Sequence, residues 1–549
     1  MAQRSTADER GTGTRQSRGK RFFFWAALSG VISGLVFLAT AELFAFIFAR
    51  SASPILAVGG FVIDIVPQPF KEFAIATFGE YDKIALLAGL GLAVVIASAI
   101  AGILQLLRPP LGVIALVVAG ALSTAAIVTR AGVTALAFLP PVLGTIAGSI
   151  LIVLLIRRLQ TWKAAAATSQ DATGQDATGQ DATGQDATEQ TPKALGRRQF
   201  FLLAGIAGVS AVIVGIASRT VSMTVASVAN IRDALKLPSP KSTVAVPKGA
   251  ELDIPGLSTL FTPNKDFYRV DTALTVPTID PSTWRLVIDG MVDQRVEMSF
   301  QDILDMGLDE YVITLTCVSN EVGGELVGNA KWLGVPLRDV LKKAGVKSGA
   351  DMVLSKSVDG YTASTPLSAL TDDNLDAILA VGMNGEPLPL EHGFPVRMVV
   401  PGLYGYVSAT KWLTELKVTT FDKDEAYWTP RGYSAEAPIK FASRVDTPKV
   451  GEAVEAGRIP IAGVAWAQSV GIERVEVRID EGDWVPATLS APINEDTWVQ
   501  WFLEWDATPG THYVAVRAIN KNGDLQIEER APIAPNGSSG WQRSLIRVS

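Results

Sequence analysis

Apolar positions along this chain follow two patterns. Through about residue 157 they form long runs, Phe22–Phe46, Ile84–Leu107, Leu111–Thr129 and Val133–Ile156, each near the length that carries a helix across hydrocarbon. After Thr243 they come in short alternating stretches. Arg285–Ile288, Val312–Cys317, Val396–Val400 and Leu416–Thr420 read as strands. Pro336–Gly345 reads as a helix, with proline in its first turn and glycine just past its end. From about Lys449 the alternation is broken by Gly and Asp turns, as in Glu473–Trp484 and His512–Ile519, which is the spacing of a β-sandwich. The predicted fold is an N-terminal multi-spanning α-helical membrane region of about five helices, an exported α+β domain and a C-terminal immunoglobulin-like β-sandwich. The predicted boundaries are 1–21 for a basic cytoplasmic tail, 22–157 for four membrane helices, 158–196 for a low-complexity linker, 197–218 for a fifth helix, 243–445 for the α+β domain and 446–549 for the sandwich.

Charge orients the membrane region. The tail holds Arg4, Arg10, Arg15, Arg18, Lys20 and Arg21, while Arg157, Arg158 and Lys163 follow the fourth run. Positive flanks on one side after an even number of crossings place both in the cytoplasm. Between the first two spans, Ile55–Val66 is too short to cross and is expected to be interfacial or re-entrant. Glu42 lies late in the first span, where an acid can reach the headgroups, and no role is assigned to it. The repeated Gln-Asp-Ala-Thr-Gly pentapeptide after Gln170 has too little apolar surface to fold and is a flexible linker. Gly196-Arg197-Arg198-Gln199-Phe200-Phe201-Leu202 then opens the fifth run and reads either as an internal twin-arginine export signal or as an ordinary positive flank. Both readings place the remainder outside the cytoplasmic membrane. The twin-arginine route would suit a domain that folds around a cofactor before crossing.

Composition narrows the chemistry. Among 549 residues the formal charge of −7 is not gathered into blocks, so nucleic acid is not an expected partner. The single cysteine, Cys317, excludes an intramolecular disulfide and any CxxC motif. The two histidines, His392 and His512, lie in the second half, so the membrane helices offer no imidazole pair and no haem is expected there. The tryptophans at 466, 484, 498, 501 and 505 are expected in core and interface positions.

Cys317 shares a strand face with Ile313 and Leu315, and that pattern alone describes an inert core thiol. It is followed, however, by Val-Ser-Asn320 and a glycine-punctuated loop that could present sulfur to a metal. Here the chain resembles the sulfite oxidase family of molybdopterin oxidoreductases. The resemblance rests on Thr314-Leu315-Thr316-Cys317 with Asn320 and Trp332-Leu-Gly-Val-Pro-Leu337; on Met383–Arg397 with His392 and Arg397; on Pro401–Gly405 leading to Lys411-Trp-Leu413; and on Trp428-Thr-Pro-Arg431-Gly-Tyr433. Asn264–Thr272, with Tyr268 and Arg269, and Asp359-Gly-Tyr361 match more loosely.

The resemblance implies a molybdenum–molybdopterin cofactor with Cys317 as metal ligand, and Tyr433 and Arg431 beside it as catalytic residues. It also implies a pterin and phosphate site built from Tyr268, Arg269, Asn320, Asp359, His392, Arg397, Ser408, Thr410 and Lys411. A phosphate wants a planar guanidinium, an imidazole and turn amides. The expected partners are the lipid bilayer, a small-molecule substrate, an electron-transfer protein of unknown identity and, by the family's use of its sandwich domain, a second copy in a homodimer. The chain departs from sulfite-oxidising members at Val322, near Asp271 and within Val407-Ser408-Ala409, where those enzymes carry arginines or an Arg-Asn-His run. A sulfite dianion needs such cations in a dry pocket, so these changes argue against sulfite. A different expectation is a catalytically idle relative, serving as a binding or sensing module on a membrane anchor.

Overall fold

A computed structural model describes residues 8–48, 54–66, 82–128, 136–175, 200–205 and 221–549, with the single residues 70, 77 and 198. These fall in two compact units, Met1–Met223 and Thr224–Ser549.

The first unit contains α1 (Asp8–Phe48), α2 (Pro54–Ile65), α3 (Asp82–Leu107), α4 (Leu111–Val128) and α5 (Leu139–Gln175). Among the described residues, Arg21–Ala45, Ile84–Leu107, Leu111–Val128 and Leu139–Ala164 are long and apolar enough to cross a membrane. The fourth begins later than the expected Val133, because Leu136–Phe138 form a turn and the helix opens at Leu139-Pro140-Pro141. Proline suits a first helical turn and breaks an interior. The same helix runs beyond Ile156 to Gln175, into the stretch expected to be linker. Leu159 is buried, and the alanines at 164–167 favour helix.

The rest of the linker, most of the loop at 51–81 and most of the 197–218 segment lie outside the described residues. Of the last, Phe200 and Ala204 are buried in the core of this unit, and the Phe200 ring sits 6.1 Å from both Trp25 and Trp162. Glu42 has a local task, since its Oε1 accepts a hydrogen bond of 3.2 Å from the Ile55 amide in the otherwise unsatisfied first turn of α2. At the tight α3–α4 connection, Gln105 Oε1 accepts from the Val113 amide at 3.1 Å.

In the second unit the helix Val221–Ala234 comes first, and it packs on the domain that was expected to start at 243. Val228 is buried there, and Arg232 bonds Leu388 O at 3.0 Å and Glu386 at 2.7 Å. Ten strands follow: β1 (Arg285–Gly290), β2 (Val296–Ser299), β3 (Asp309–Thr316), β4 (Val327–Pro336), β5 (Met352–Ser357), β6 (Thr362–Pro366), β7 (Ile378–Met383), β8 (Glu386–Pro387), β9 (Arg397–Val399) and β10 (Leu413–Thr419). They form two sheets, one in the order β2-β1-β10-β5-β6 and one in the order β3-β4-β7-β8 with β9 on β7. Leu286 and Ile288, Val353, Leu379 and Val381, and Leu416 from these strands share one core with Val340 and Leu341 of the helix Leu337–Ala344. That helix ends on Gly345 at φ 69°, a left-handed cap that glycine adopts without a Cβ penalty.

Two further sheets complete the chain. Ala442–Thr447, Gly457–Trp466, Val499–Ala507 and Thr488–Leu489 form one; Ala453–Val454, Gln542–Val548, Gly510–Asn520, Ile472–Ile479 and Val485–Pro486 form the other. Val445, Ile461 and Trp501 of the first share a core with Val475, Val514, Val516 and Ile546 of the second. The first of these strands starts at Ala442, ahead of the expected boundary at 446. Trp466 and Trp498 pack with Leu260 and Val327, and the Trp498 indole donates to Leu260 O at 3.0 Å, joining these sheets to the preceding domain.

Asp496 is buried at the same junction, where its carboxylate accepts from the Ser469 hydroxyl and its backbone O accepts from the Thr314 amide at 2.9 Å. Burial raises its pKa to about 6 against that hydrogen bond, helped by the negative field of Asp376 and Glu495. The folded state therefore holds this proton more tightly than the unfolded chain does. The associated stability is full below about pH 4 and is lost as pH rises through 6, by at most roughly 3 kcal/mol. Asp496→Asn should accordingly melt above the parent at pH 7, with the difference vanishing near pH 4; thermal unfolding of both across that range is the check.

Candidate functional site

The β3 strand ends at Thr316, and the chain turns at once. Asn320 N donates to Cys317 O at 3.0 Å, Cys317 N donates to Leu326 O at 2.9 Å, and the Asn320 side chain accepts from Leu326 N at 2.9 Å. Ser538, from the C-terminal part of the chain, donates to Asn320 O at 2.6 Å. Asn320 thus holds the loop and does not line the cleft that Cys317 enters. The Cys317 thiol is buried, which raises its pKa, and its sulfur accepts from the Ser319 amide at 3.4 Å.

Cys317 opens onto a cleft with about 810 Å³ of space between its walls, part of it open to solvent. Six of the expected site residues line it: Tyr268, Cys317, Asp359, His392, Arg397 and Lys411. His392 comes from the turn before β9, where Gly393 has φ 110° and a Cβ would press on Arg397 and Lys411 at 3.1 Å. Its Nε2 donates to Asn264 O at 3.0 Å, since a carbonyl can only accept. Burial, with Arg397 nearby, lowers its pKa to about 3, so the ring is neutral at physiological pH.

Arg397 is 5% exposed. It donates to His392 O at 3.2 Å, to Met398 O at 3.4 Å and to Ala409 O at 3.5 Å, and it lies over the Trp332 ring at 5.1 Å. Among the described residues no carboxylate pairs with it. Burial pulls its pKa down to about 10, still a full cation at neutral pH. Lys411, lowered to about 8 by burial, is held by Asp271 at 2.9 Å and by Glu391 O at 3.1 Å.

The other expected residues stand one layer back. Arg269 is turned to Asp271 at 2.9 Å, so that carboxylate bridges Arg269 and Lys411. The Ser408 hydroxyl donates to Leu403 O and Tyr404 O at 3.0 Å, and Thr410 meets Ser355 at 2.8 Å. Tyr433 packs its ring on Tyr406 and Trp428, which line the cleft, and Arg431 lies 3.8 Å from the Tyr427 ring while donating to Tyr427 O at 2.6 Å.

Tyr361, named in the looser Asp359-Gly-Tyr361 match, lines the cleft, and the structure adds Tyr406, whose backbone O accepts from Tyr361 Oη at 2.7 Å. It also adds Ser357, whose buried hydroxyl has no partner among the described residues. The adjacency of Tyr406 to the Pro401–Gly405 turn was the only signal available for it; Ser357 offered none.

This donor set suits a molybdopterin. The unpaired Arg397 guanidinium and the orphaned Ser357 hydroxyl are buried donors of the kind an anionic, acceptor-rich group satisfies. Cys317 brings a thiol to the same cleft.

Comparison with known proteins agrees. Residues 273–428 match the oxidoreductase molybdopterin binding domain family. The chain is 30% identical to human mitochondrial sulfite oxidase over 339 residues, 52% of this chain and 62% of that protein. It is 28% identical to Arabidopsis thaliana sulfite oxidase over 376 residues, 57% and 94% of the two chains. Against the uncharacterized oxidoreductase YuiH of Bacillus subtilis it is 36% identical over 154 residues, 28% of this chain and 74% of that one. Among solved structures, the sulfane dehydrogenase SoxCD of Paracoccus pantotrophus aligns with a TM-score of 0.47 at 21% identity, over 56% of this chain and 90% of that one. The chain therefore spans about three fifths of the human relative's length, and with its cysteine, guanidinium and imidazole gathered in the matched region it belongs to the sulfite oxidase family of molybdopterin oxidoreductases.

Proposed function

We propose that this chain is a membrane-anchored, extracytoplasmic molybdopterin-dependent oxidoreductase acting on a small substrate other than sulfite. The observation that carries this reading is the convergence of Cys317, His392, Arg397 and Lys411 on one cleft. Bound there, molybdopterin would supply a metal that exchanges oxygen atoms or electrons with the substrate. The protein's residues perform the rest. Cys317 would offer a thiolate to the metal, and Arg397, Lys411 and His392 would hold the phosphate. The Tyr268 and Tyr361 phenols, whose pKa values burial raises, stay protonated and so can donate hydrogen bonds but carry no charge.

Charge selects the substrate class. With Arg397 and Lys411 committed to the cofactor, and Lys411 also paired with Asp271, the cleft lining offers the substrate no further Arg or Lys, and the Asp359 carboxylate lines it as well. Val322, where sulfite-oxidising relatives carry arginine, lines a different cavity. A neutral or weakly charged substrate fits this balance better than a dianion.

The four apolar helices supply the anchor, the positive flanks of α1 and α5 favour a cytoplasmic side for both, and a fifth crossing at 197–218 would carry the second unit outside. The Arg197-Arg198 segment serves as the export signal, and the paired C-terminal sheets serve as an immunoglobulin-like domain available for a homodimer. The test is molybdenum content of the full chain from a molybdopterin-producing host, beside Cys317→Ser. Stoichiometric metal in the parent is expected, with loss of dye-linked redox turnover and of the metal's paramagnetic signal in the variant. A folded parent free of molybdenum sinks the enzyme reading and favours the binding module.

A further inference from the structure

We propose that the C-terminal sheets position the metal-ligand cysteine, with Ser538 as the positioning residue that fixes the turn carrying its sulfur. The inference rests on Cys317 being the ligand. β3 ends one residue before Cys317 and stands at an edge of its sheet, so one side of its backbone has no neighbouring strand to bond. The C-terminal part of the chain fills that side. Thr314 N donates to Asp496 O at 2.9 Å, and Thr314 O accepts from Gln468 Nε2 at 2.9 Å. Val312 O accepts from Asn494 Nδ2 at 3.1 Å, and the Thr314 hydroxyl oxygen accepts from Trp498 N at 2.8 Å.

The same part of the chain reaches past the strand end. Cys317–Asn320 is a tight turn closed by Asn320 N on Cys317 O at 3.0 Å, and inside it the Ser319 amide donates to Cys317 Sγ at 3.4 Å. Ser538 donates to Asn320 O at 2.6 Å and so pins the last residue of that turn. Arg444, itself 6% exposed and paired with Asp446 at 2.6 Å, donates to Gly324 O at 3.0 Å and pins the loop beyond.

Outer partners of this kind orient a ligand and tune the metal it holds, and an amide that donates to the sulfur draws charge from it. Ser538 does not touch the sulfur. It acts through Asn320, on the turn that aims the Ser319 amide. A hydroxyl that merely added stability would leave the sulfur's surroundings unchanged on removal, and that difference separates the two roles.

The test sets Ser538→Ala beside Ser538→Thr, which keeps the hydroxyl, and Ser539→Ala, whose hydroxyl donates to Glu529 O at 2.9 Å instead of to the turn. Cys317 is the only thiol in the chain, so labelling of the metal-free full chain in detergent by a bulky maleimide reports on it alone. Ser538→Ala should label about threefold to tenfold faster, the factor one lost hydrogen bond allows, with an unfolding midpoint close to the parent's. In the molybdenum-loaded chain the same variant should shift the g values of the metal's paramagnetic signal. Ser538→Thr and Ser539→Ala should match the parent in both readouts. If Ser538→Ala fails to fold, Ser538→Val against its isostere Ser538→Thr makes the same comparison. Labelling at the parent's rate, an unshifted signal, no recovery in Ser538→Thr, or an equal change in Ser539→Ala would overturn the proposal. A parent free of molybdenum would instead sink the enzyme reading, and the labelling rates would still decide whether Ser538 positions the thiol.

Discussion

Replacing Arg397 by methionine should cut molybdenum retention roughly 30-fold to 1000-fold while leaving the metal-free protein as stable as the parent or more so. The first half follows from geometry, because Arg397 is the guanidinium in the cleft with no carboxylate partner, and removing a buried charge-assisted pair costs about 2–4 kcal/mol of binding. The second half follows from the same isolation. A buried cation bonded only to backbone carbonyls is a liability to the metal-free protein, and a well-packed apolar residue relieves it. Methionine can also keep contact with the Trp332 ring, on which the guanidinium now lies. Metal analysis and thermal unfolding of the same preparation separate the two halves. Full molybdenum in the variant would remove Arg397 from the cofactor site, and a large fall in metal-free stability would give it a structural role instead.

In the membrane unit, Gly30→Ala or Gly102→Ala should lower the melting midpoint sharply. A Cβ on Gly30 would stand 2.0 Å from Ser98 O and 2.9 Å from Gly102 Cα, and one on Gly102 would stand 2.0 Å from Ala26 O. These are backbone atoms of α1 and α3, so no side chain can swing aside and the helices must separate. Lipid tails give no hydrophobic drive to hold helices together, and close backbone approach through small residues is the main attraction that separation would forfeit. The expected cost is about 3 kcal/mol or more, the top of the range for overpacked interiors. Gly89 and Gly91 on α3 have nothing within 4 Å of an added Cβ. Alanine there should be neutral or slightly stabilising, because it lowers the entropy of the unfolded chain. Detergent-solubilised thermal unfolding of the four variants decides it, and equal behaviour of the two pairs would contradict the close crossing of α1 and α3.

The departures from the sequence reading have physical causes. The run at Val133–Ile156 was read as a span by hydropathy alone, but Pro140-Pro141 can only be a helix start, and the described helix begins there. Ala442–Thr447 was assigned to the α+β domain, yet it pairs with Gly457–Trp466, because a strand's partner is set by what it meets across the sheet. Tyr433 and Arg431 are expected beside the metal from their motif; the structure packs the Tyr433 ring against Tyr406 and Trp428, which line the cleft, and Arg431 against Tyr427.

Some features were determined by sequence alone, because they are local. Four long apolar runs mark helices long and apolar enough to cross a membrane, Pro336 and Gly345 mark the two ends of the helix between them, and the motif around Cys317, His392 and Arg397 marks the family. Tertiary structure decided whatever depends on residues far apart in the chain. Asp271 pairs with Lys411 across 140 positions, Ser538 ties down the Cys317 loop across 218, and among the described residues Arg397 is left without a counter-ion although carboxylates occur throughout the sequence. Charge balance at a buried site depends on distance and exclusion of water, and neither is written in the order of the residues.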